Sequence, residues 1–169
     1  AEGDAFVDAL TVTLSKGTWI HLDGNPIEVT ATGTLYGPFD EQPTEADTPP
    51  AGAPVTGTET ITLTGAGSYT SPGTIVASES GFYTWVWSID KTAHGENAKY
   101  LTDSFTDRFG QVTETSVVPF QPEAVSEADQ RLAVPGDALT DTITVSSSNG
   151  AWLKKDGAHI PVVFEGTAY

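Results

Sequence analysis

The sequence predicts an all-β protein, and three observations lead to that prediction. Short runs alternate Thr with Val, Ile, Leu, Tyr or Trp, which is the period of a half-buried strand. Seventeen Gly and eleven Pro residues separate these runs, and Met is absent from a chain with few helix formers. A block near the N-terminus also returns later in the chain, which is typical of tandem β domains.

The repeat has a constant spacing. Residues 3–36 align without a gap to residues 136–169, a shift of 136 − 3 = 133 residues, with identity at 16 of 34 positions. One period is the size of an ordinary domain. We therefore expect one domain over 1–120, an inter-repeat linker over 121–135, and the N-terminal part of a second copy over 136–169. An alternative frame, which the repeat leaves open, places the closed domain at about 55–169.

Alternation places the strands of the first copy. Residues 82–89 are apolar on both faces, so this strand is expected in the centre of a sheet. Residues 111–118 alternate until Pro119 and predict the last strand of the domain. The other predicted strands are 8–14, 27–36, 55–64, 68–70 and 74–77.

Three segments lack such a period. Residues 37–54 are acidic and rich in Pro, and residues 90–110 follow the strongest strand. Loops of this length inside a compact domain are commonly functional or held down by contacts. Residues 121–135 have linker composition, and their Ala, Glu and Gln content allows one helical turn.

The segment 79–85 predicts the type of fold. Its order of Glu, Ser, Gly, Phe, Tyr, Thr and Trp resembles a tyrosine corner, in which a Tyr hydroxyl bonds to backbone just before a strand. We therefore predict an immunoglobulin-like β-sandwich with long acidic loops. The aromatic residues assigned to structural roles are Trp19, Tyr83, Trp85, Trp87 and Trp152.

Four ordered motifs carry a resemblance to a known family. They are YGPF at 36–39, GSYTSP at 67–72, GFYTWVWSI at 81–89 and FGQVTETSVV at 109–118. Together they are similar to the stalk repeats of long, LPXTG-anchored surface proteins of actinobacteria, often described as adhesin-like. The resemblance implies an extracellular, wall-attached array of sandwich domains that spaces a distal head from the cell wall. Many relatives link their long loops through a Cys pair, and this chain has no Cys.

Charge restricts the classes of partner. The net charge of −16 repels nucleic acid and anionic lipid, so neither is expected as a partner. No run of about 18 apolar residues is present, so membrane insertion is not expected. The expected partners are neighbouring repeats of the same chain, or neighbouring chains in a filament that complete the second copy.

We expect no cofactor in this chain, and the alternative is a Ca²⁺ site. Asp4 and Asp8 recur as Asp137 and Asp141 beside the predicted linker. Ca²⁺ takes several carboxylate and carbonyl oxygens, so these four residues could form a junction site that stiffens an array.

The remaining hypotheses concern binding and crosslinking. A glycan- or protein-binding module would use the aromatic residues of the long 90–110 loop, Tyr100, Phe105 and Phe109, which we expect to be exposed. An intramolecular isopeptide bond is disfavoured because its candidate Lys16 aligns with Asn149, and Gln111 is the acceptor for an ester alternative. No nucleophile, base or metal motif indicates an enzyme.

Overall fold

The computed structural model describes residues 3–167 and is mostly β, as predicted. These residues form several separate sheets, each of them open. The strands are β1 (Ala9–Val12), β2 (His21–Leu22), β3 (Asn25–Pro26), β4 (Val29–Phe39), β5 (Val55–Leu63), β6 (Gly67–Thr70), β7 (Gly81–Ile89), β8 (Phe105–Thr106), β9 (Thr115–Val118), β10 (Pro122–Ala128), β11 (Asp141–Ser147), β12 (Lys154–Lys155) and β13 (Ala158–His159). Two 3₁₀ segments lie at Lys91–Tyr100 and Val112–Glu114.

The main sheet has five antiparallel strands in the order β5-β4-β7-β8, with β9 pairing with the N-terminal half of β7. Strand β7 is flanked on both sides, and residues Tyr83 to Trp87 along it are all buried. This confirms the prediction that residues 82–89 form a central strand. The reason is physical, since a strand with two apolar faces needs cover on both.

A second layer covers one face of this sheet. Strands β1 and β6 pair from Ala9–Thr70 to Val12–Gly67, and an isolated bridge between Ala5 and Val76 continues the pairing. Apolar side chains from both layers meet in one core: Phe6, Ile27, Val29, Ala31, Leu35, Leu63, Ala77, Tyr83, Trp85, Trp87 and Val118. Trp19 is half-buried and packs against this core, as expected for a structural residue.

The predicted tyrosine corner is present. The hydroxyl of Tyr83 donates to the carbonyl of Glu79 at 2.9 Å, and the Tyr83 ring packs on Phe6 with centroids 4.6 Å apart. Trp85 and Trp87 alternate with it along the same face and stack with centroids 5.5 Å apart. The corner therefore fixes the start of β7 against the second layer.

A buried carboxylate ties the second layer to strand β5. Glu59 is only 4% exposed, and its oxygens accept from the backbone N–H groups of Gly73, Thr74 and Ile75. Burial alone raises the pKa of Glu59, but the hydrogen bonds from Thr74 and its neighbours outweigh burial and lower it. The segment 73–75 is thus held without a strand ladder.

The opposite face of the main sheet carries a smaller aromatic cluster, and the long 37–54 loop is held in place there. Phe109 is buried and meets Tyr36 and Phe39 edge-on, with centroids 5.7 and 5.9 Å away. Ala46 and Phe109 exchange backbone hydrogen bonds of 3.0 and 2.9 Å. Arg108 pairs with acidic residues of the loop on either side of Ala46. Loop 37–54 is therefore tied to the 90–110 loop without a disulfide.

Three local predictions need correction. Residues 111–118 become strand only at Thr115, because a 3₁₀ turn occupies Val112–Glu114. In 74–77 only Val76 makes a β-bridge, since Glu59 binds the backbone of its neighbours instead. The predicted linker contains no helical turn; its residues Pro122–Ala128 form strand β10, which pairs with β11. The last residue of the repeat block, Tyr169, lies outside the described residues.

Candidate functional site

The second copy makes extensive contact with the first, and Ser80 is at the centre of that contact. Its backbone N–H donates to the carbonyl of Asn149 at 2.7 Å, and its hydroxyl donates to the carbonyl of Ala151 at 2.8 Å. The Ser80 residue is fully buried and forms a parallel bridge with Gly150. The corner that precedes β7 is therefore also the place where the second copy contacts the first.

Gly150 is required for this approach. Its φ is 128°, and a Cβ placed on it would lie 2.8 Å from Ser80 Oγ and 2.9 Å from Ser80 N. A side chain would have to displace backbone there. The repeated Gly17 also has positive φ, but a Cβ on it would meet nothing within 4 Å.

A charged contact lies beside this backbone contact. The Lys154 ammonium donates to Asp40 Oδ2 at 2.6 Å, and the Lys154 backbone N–H donates to the Asp40 carbonyl at 2.7 Å. The Gly157 N–H donates to Glu41 Oε1 at 2.8 Å. The hydrogen bond from Lys154 lowers the pKa of Asp40, and the same bond raises the pKa of Lys154. Loop 37–54 thus has one end at the junction of the copies.

Asn149 binds the segment that leaves the first copy. Its Oδ1 accepts from the Gln121 N–H at 2.8 Å, and its Nδ2 donates to the Pro119 carbonyl at 3.1 Å. Between them, the Phe120 ring packs on Trp152 with centroids 5.0 Å apart. We call the whole contact of 148–157 with 40–41, 79–80 and 119–121 the junction. Its hydrogen bonds come from three separate segments of the first copy, so it is not a simple tether.

The part of the second copy that docks has the same local structure as its equivalent in the first. Trp19 Nε1 donates to the Ile27 carbonyl at 2.9 Å, and Trp152 Nε1 donates to the Ile160 carbonyl at 2.7 Å. The turn residues Asp23 and Asp156 have φ of 51° and 55°, each followed by a Gly at positive φ. The recurring Trp is therefore a structural residue of a Trp–turn unit in both copies.

A second candidate site is a cavity of about 1050 Å³ between strand β1 and the main sheet. Asp8, Asp107 and Glu114 lie together along it. Asp8 Oδ2 accepts from Trp87 Nε1 at 2.7 Å, which keeps that carboxylate at the cavity wall. Burial and the charge of Asp8 raise the pKa of Asp107.

Glu114 is the most perturbed group of this cluster. Its pKa is raised to about 7, mainly by burial and also by the charges of Asp8 and Asp107 and by a hydrogen bond with Asp8. Its Oε2 is buried without a hydrogen-bond partner among the described residues. A carboxyl group in this position is best accommodated in its neutral form.

The predicted ligand-binding aromatics are separated by the structure. Tyr100 is 36% exposed and Phe105 is 54% exposed, and both line the cavity. Phe109 is only 2% exposed and lies on the opposite face of the sheet. The expectation that Phe109 is exposed is wrong, because its ring fills the cluster under loop 37–54.

The predicted cation residues have other contacts. Asp8 binds Trp87, while Asp137 Oδ2 accepts from the Val134 N–H at 2.9 Å. The Asp4 carbonyl accepts from the Ala77 N–H, and Asp141 is the first residue of β11. Within residues 3–167, no group of three or more acidic or His side chains is placed to hold a metal ion.

Sequence reasoning missed the residues that form the junction. Asp40 follows the YGPF motif without any pattern of its own, and the mismatch of Lys16 with Asn149 by itself argues only against a crosslink. That mismatch was an available signal, since the Asn149 side chain makes contacts specific to the junction. Ser80 carried no signal, because its two partners lie about 70 residues away in sequence.

Comparison of the chain with models of protein families, with curated proteins and with solved structures finds no match. In the described part of the chain, no helix has the length and apolar character needed to cross a membrane.

Proposed function

We propose that this chain is part of a non-enzymatic, extracellular array of immunoglobulin-like units that acts as a surface stalk. The array would space a distal head from the cell wall, as the family resemblance implies. The observation that carries the proposal is the junction. Ser80 donates there to Ala151, Asp40 accepts from Lys154 and Asn149 accepts from Gln121, and together these hydrogen bonds fix one copy against the next. A spacer needs such fixed geometry between its units.

The immunoglobulin-like assignment rests on strand order and on the corner. Strands β5, β4, β7 and β9 are neighbours in that order, which corresponds to the C′, C, F and G strands of a variable-type sandwich. Strands β1 and β6 then correspond to B and E in the facing sheet. The Tyr83–Glu79 hydrogen bond lies at the start of the strand equivalent to F.

Small-angle scattering tests the stalk on the whole chain and on the chain followed by one and by two further copies of residues 37–169. Tyr169 is the counterpart of Tyr36, so each added copy continues the repeat and keeps the junction residues Asp40, Asn149 and Lys154. We expect the maximum dimension to grow by a constant increment per copy, with the profile of a rod. A flexible chain would instead grow roughly as the square root of copy number. Flexible-chain scaling, or a compact particle, would contradict the proposal.

Ligand binding is a second candidate, favoured by the cavity. Tyr100, Phe105 and Trp87 line it beside three carboxylates, and aromatic walls with few polar groups are typical of ligand sites. A glycan screen on the whole chain would test this function. Reproducible binding that is lost in Tyr100→Ala but kept in Phe109→Leu would favour it.

A further inference from the structure

Strands β1 and β11 occupy equivalent positions in the two copies but pair with different partners. Shifting by 133 residues places β1 on residues 142–145, within β11. Strand β1 pairs with β6, which follows it in the chain, whereas β11 pairs with β10, which precedes it. The same element of the repeat therefore pairs with a following strand in the first copy and with a preceding strand in the second.

The two partners use opposite edges of that element. The Ser71 N–H donates to the Asp8 carbonyl, so the backbone N–H and C=O groups of Asp8 point to β6. Because these groups alternate in direction along a strand, those of Leu10 and Val12 also point to β6. In the second copy the Ser148 N–H donates to the Gln121 carbonyl, so even-numbered residues of β11 point to β10. Residues 142, 144 and 146 are the counterparts of Ala9, Thr11 and Thr13, which point away from β6.

The two pairings are therefore compatible in one sheet. A strand of this kind can have a β10-type strand on one edge and a β6-type strand on the other at the same time. In the first copy, no strand among the described residues pairs with the edge at Ala9 and Thr11. Both residues are exposed, and exposed strand edges are usually covered in stable proteins.

Burial of the equivalent side chains agrees with a shared sheet. Leu10 and Val12 are half-buried against the core of the first copy, whereas their counterparts Ile143 and Val145 are 54% and 48% exposed. The β10–β11 pair thus has an apolar face that is not covered in the described structure. It has the form of one edge of a sandwich layer, not of an independent hairpin.

We propose that the free edge of β1 is the docking site for a strand equivalent to Pro122–Ala128, contributed by the unit that precedes this one in the array. This inference rests on the proposed function, since it needs a preceding unit. The register follows from the second copy: the equivalents of Val125 and Glu123 would exchange hydrogen bonds with Thr11 and Thr13. The equivalent of Glu127 would lie opposite Ala9, whose N–H donates to Asp8 Oδ1 at 2.9 Å and would exchange that partner for the new strand. The domain would then begin at the equivalent of Pro122, and the segment predicted as a linker would be its first strand.

The chemistry of the docking strand fits this position. The equivalents of Ala124 and Ser126 would stand beside Val12 and Leu10 on the core-facing side, and both are small. Ala9, Thr11 and Thr13 also line the 1050 Å³ cavity, so the strand would lie along its wall. In the array, part of this cavity would therefore be filled by the docked strand of the preceding unit and not by a small molecule.

The experiment adds a copy of residues 119–133 directly before Ala1 of the whole chain, because position 134 is the counterpart of position 1. Amide hydrogen exchange is read by NMR at Thr11 and Thr13, with Leu10, which faces β6, as internal reference. We expect exchange at Thr11 and Thr13 to slow at least about tenfold relative to Leu10 in a monomer.

Two matched variants of the extension make the test specific. Val125→Pro with Glu127→Pro in the added segment removes donors that would face β1, and should abolish the protection. Ala124→Pro with Ser126→Pro removes donors that face away, and should preserve most of it. Unchanged exchange at Thr11 and Thr13, or protection seen only in a dimer, would overturn the proposal. The scattering test of the stalk is independent of this result, so the two proposals can fail separately.

Discussion

Lys154 of the second copy binds Asp40 of the first through both its side chain and its backbone, at 2.6 and 2.7 Å. The two residues are 114 positions apart in sequence. A single residue is thus fixed in position and in direction relative to the neighbouring copy. Such a two-point contact restrains rotation at the junction more than a side-chain ion pair alone, which at a surface contributes little.

Asp40→Asn should loosen the junction without unfolding either copy. The variant keeps the backbone bond from Lys154 but loses the charge on the side chain, so ¹⁵N relaxation should show faster motion of residues 149–157. In the unchanged protein the lowered pKa of Asp40 keeps this contact at neutral pH, and the contact is lost as pH falls below the ordinary value of 3.8. Asp103→Asn, outside the junction, is the control. Equal relaxation in both variants would show that the ion pair does not restrain the copies.

Tyr83→Phe should destabilise the first copy by about 1–2 kcal/mol, because the Glu79 carbonyl loses its buried donor. The ring contacts with Phe6 would remain, so the fold should be kept. Thermal unfolding measures the change. Tyr100→Phe, at a residue that is 36% exposed, is the matched control and should change stability by less than about 0.5 kcal/mol. Similar melting temperatures for the two variants would show that the Tyr83–Glu79 hydrogen bond does not stabilise the fold.

Phe109→Ala should cost about 3–5 kcal/mol, since it leaves a cavity between Tyr36 and Phe39. It should also release loop 37–54, whose ladder contact to this segment runs through Ala46. Limited proteolysis followed by mass spectrometry would locate new cleavage in that loop. Phe105→Ala removes an aromatic ring that is 54% exposed and should leave the loop resistant. Cleavage elsewhere first would argue against this cluster as the anchor.

Glu114→Gln should remove a pH dependence of stability. The folded pKa of about 7 is above the ordinary value of 4.5, so the favourable neutral form is fully present below pH 4.5 and is lost as pH rises through 7. After allowance for solvent screening, the loss should be about 1–2 kcal/mol. Unfolding midpoints at pH 5 and pH 8.5 measure it. The Gln variant should show a smaller difference than Glu123→Gln, an exposed control in β10. If the two variants show the same change in stability between pH 5 and pH 8.5, a group other than Glu114 causes the pH dependence.

Alternation predicted the strands well, because it reports which face of a strand is covered. Residues 82–89, 55–64 and 68–70 appear as strands with ends shifted by one residue or less. The pattern could not reveal that Glu59 replaces ladder bonds at 73–75, since the charge of a carboxylate normally indicates an exposed position. Nor could it show that Phe109 is buried, because its cover comes from a loop without any period.

Composition was misleading at the predicted linker. Ala, Glu, Gln and Pro around residues 122–128 indicated an irregular tether, yet the segment is a strand. Its strand character comes from the backbone of β11, which supplies a complete antiparallel ladder. Intrinsic β propensity is weak and depends on such neighbours.

The sequence by itself determined the β character, the 133-residue repeat and the Trp–turn unit, whose geometry is the same in both copies because its hydrogen bonds join residues eight apart. Only the tertiary structure decided which strands are neighbours and how one copy meets the next. The bonds at Ser80 and Asp40 join residues 71 and 114 positions apart, and no local preference encodes such a pairing. Two nearly equivalent strands pair on opposite edges because an edge is filled by whichever backbone the rest of the chain brings to it.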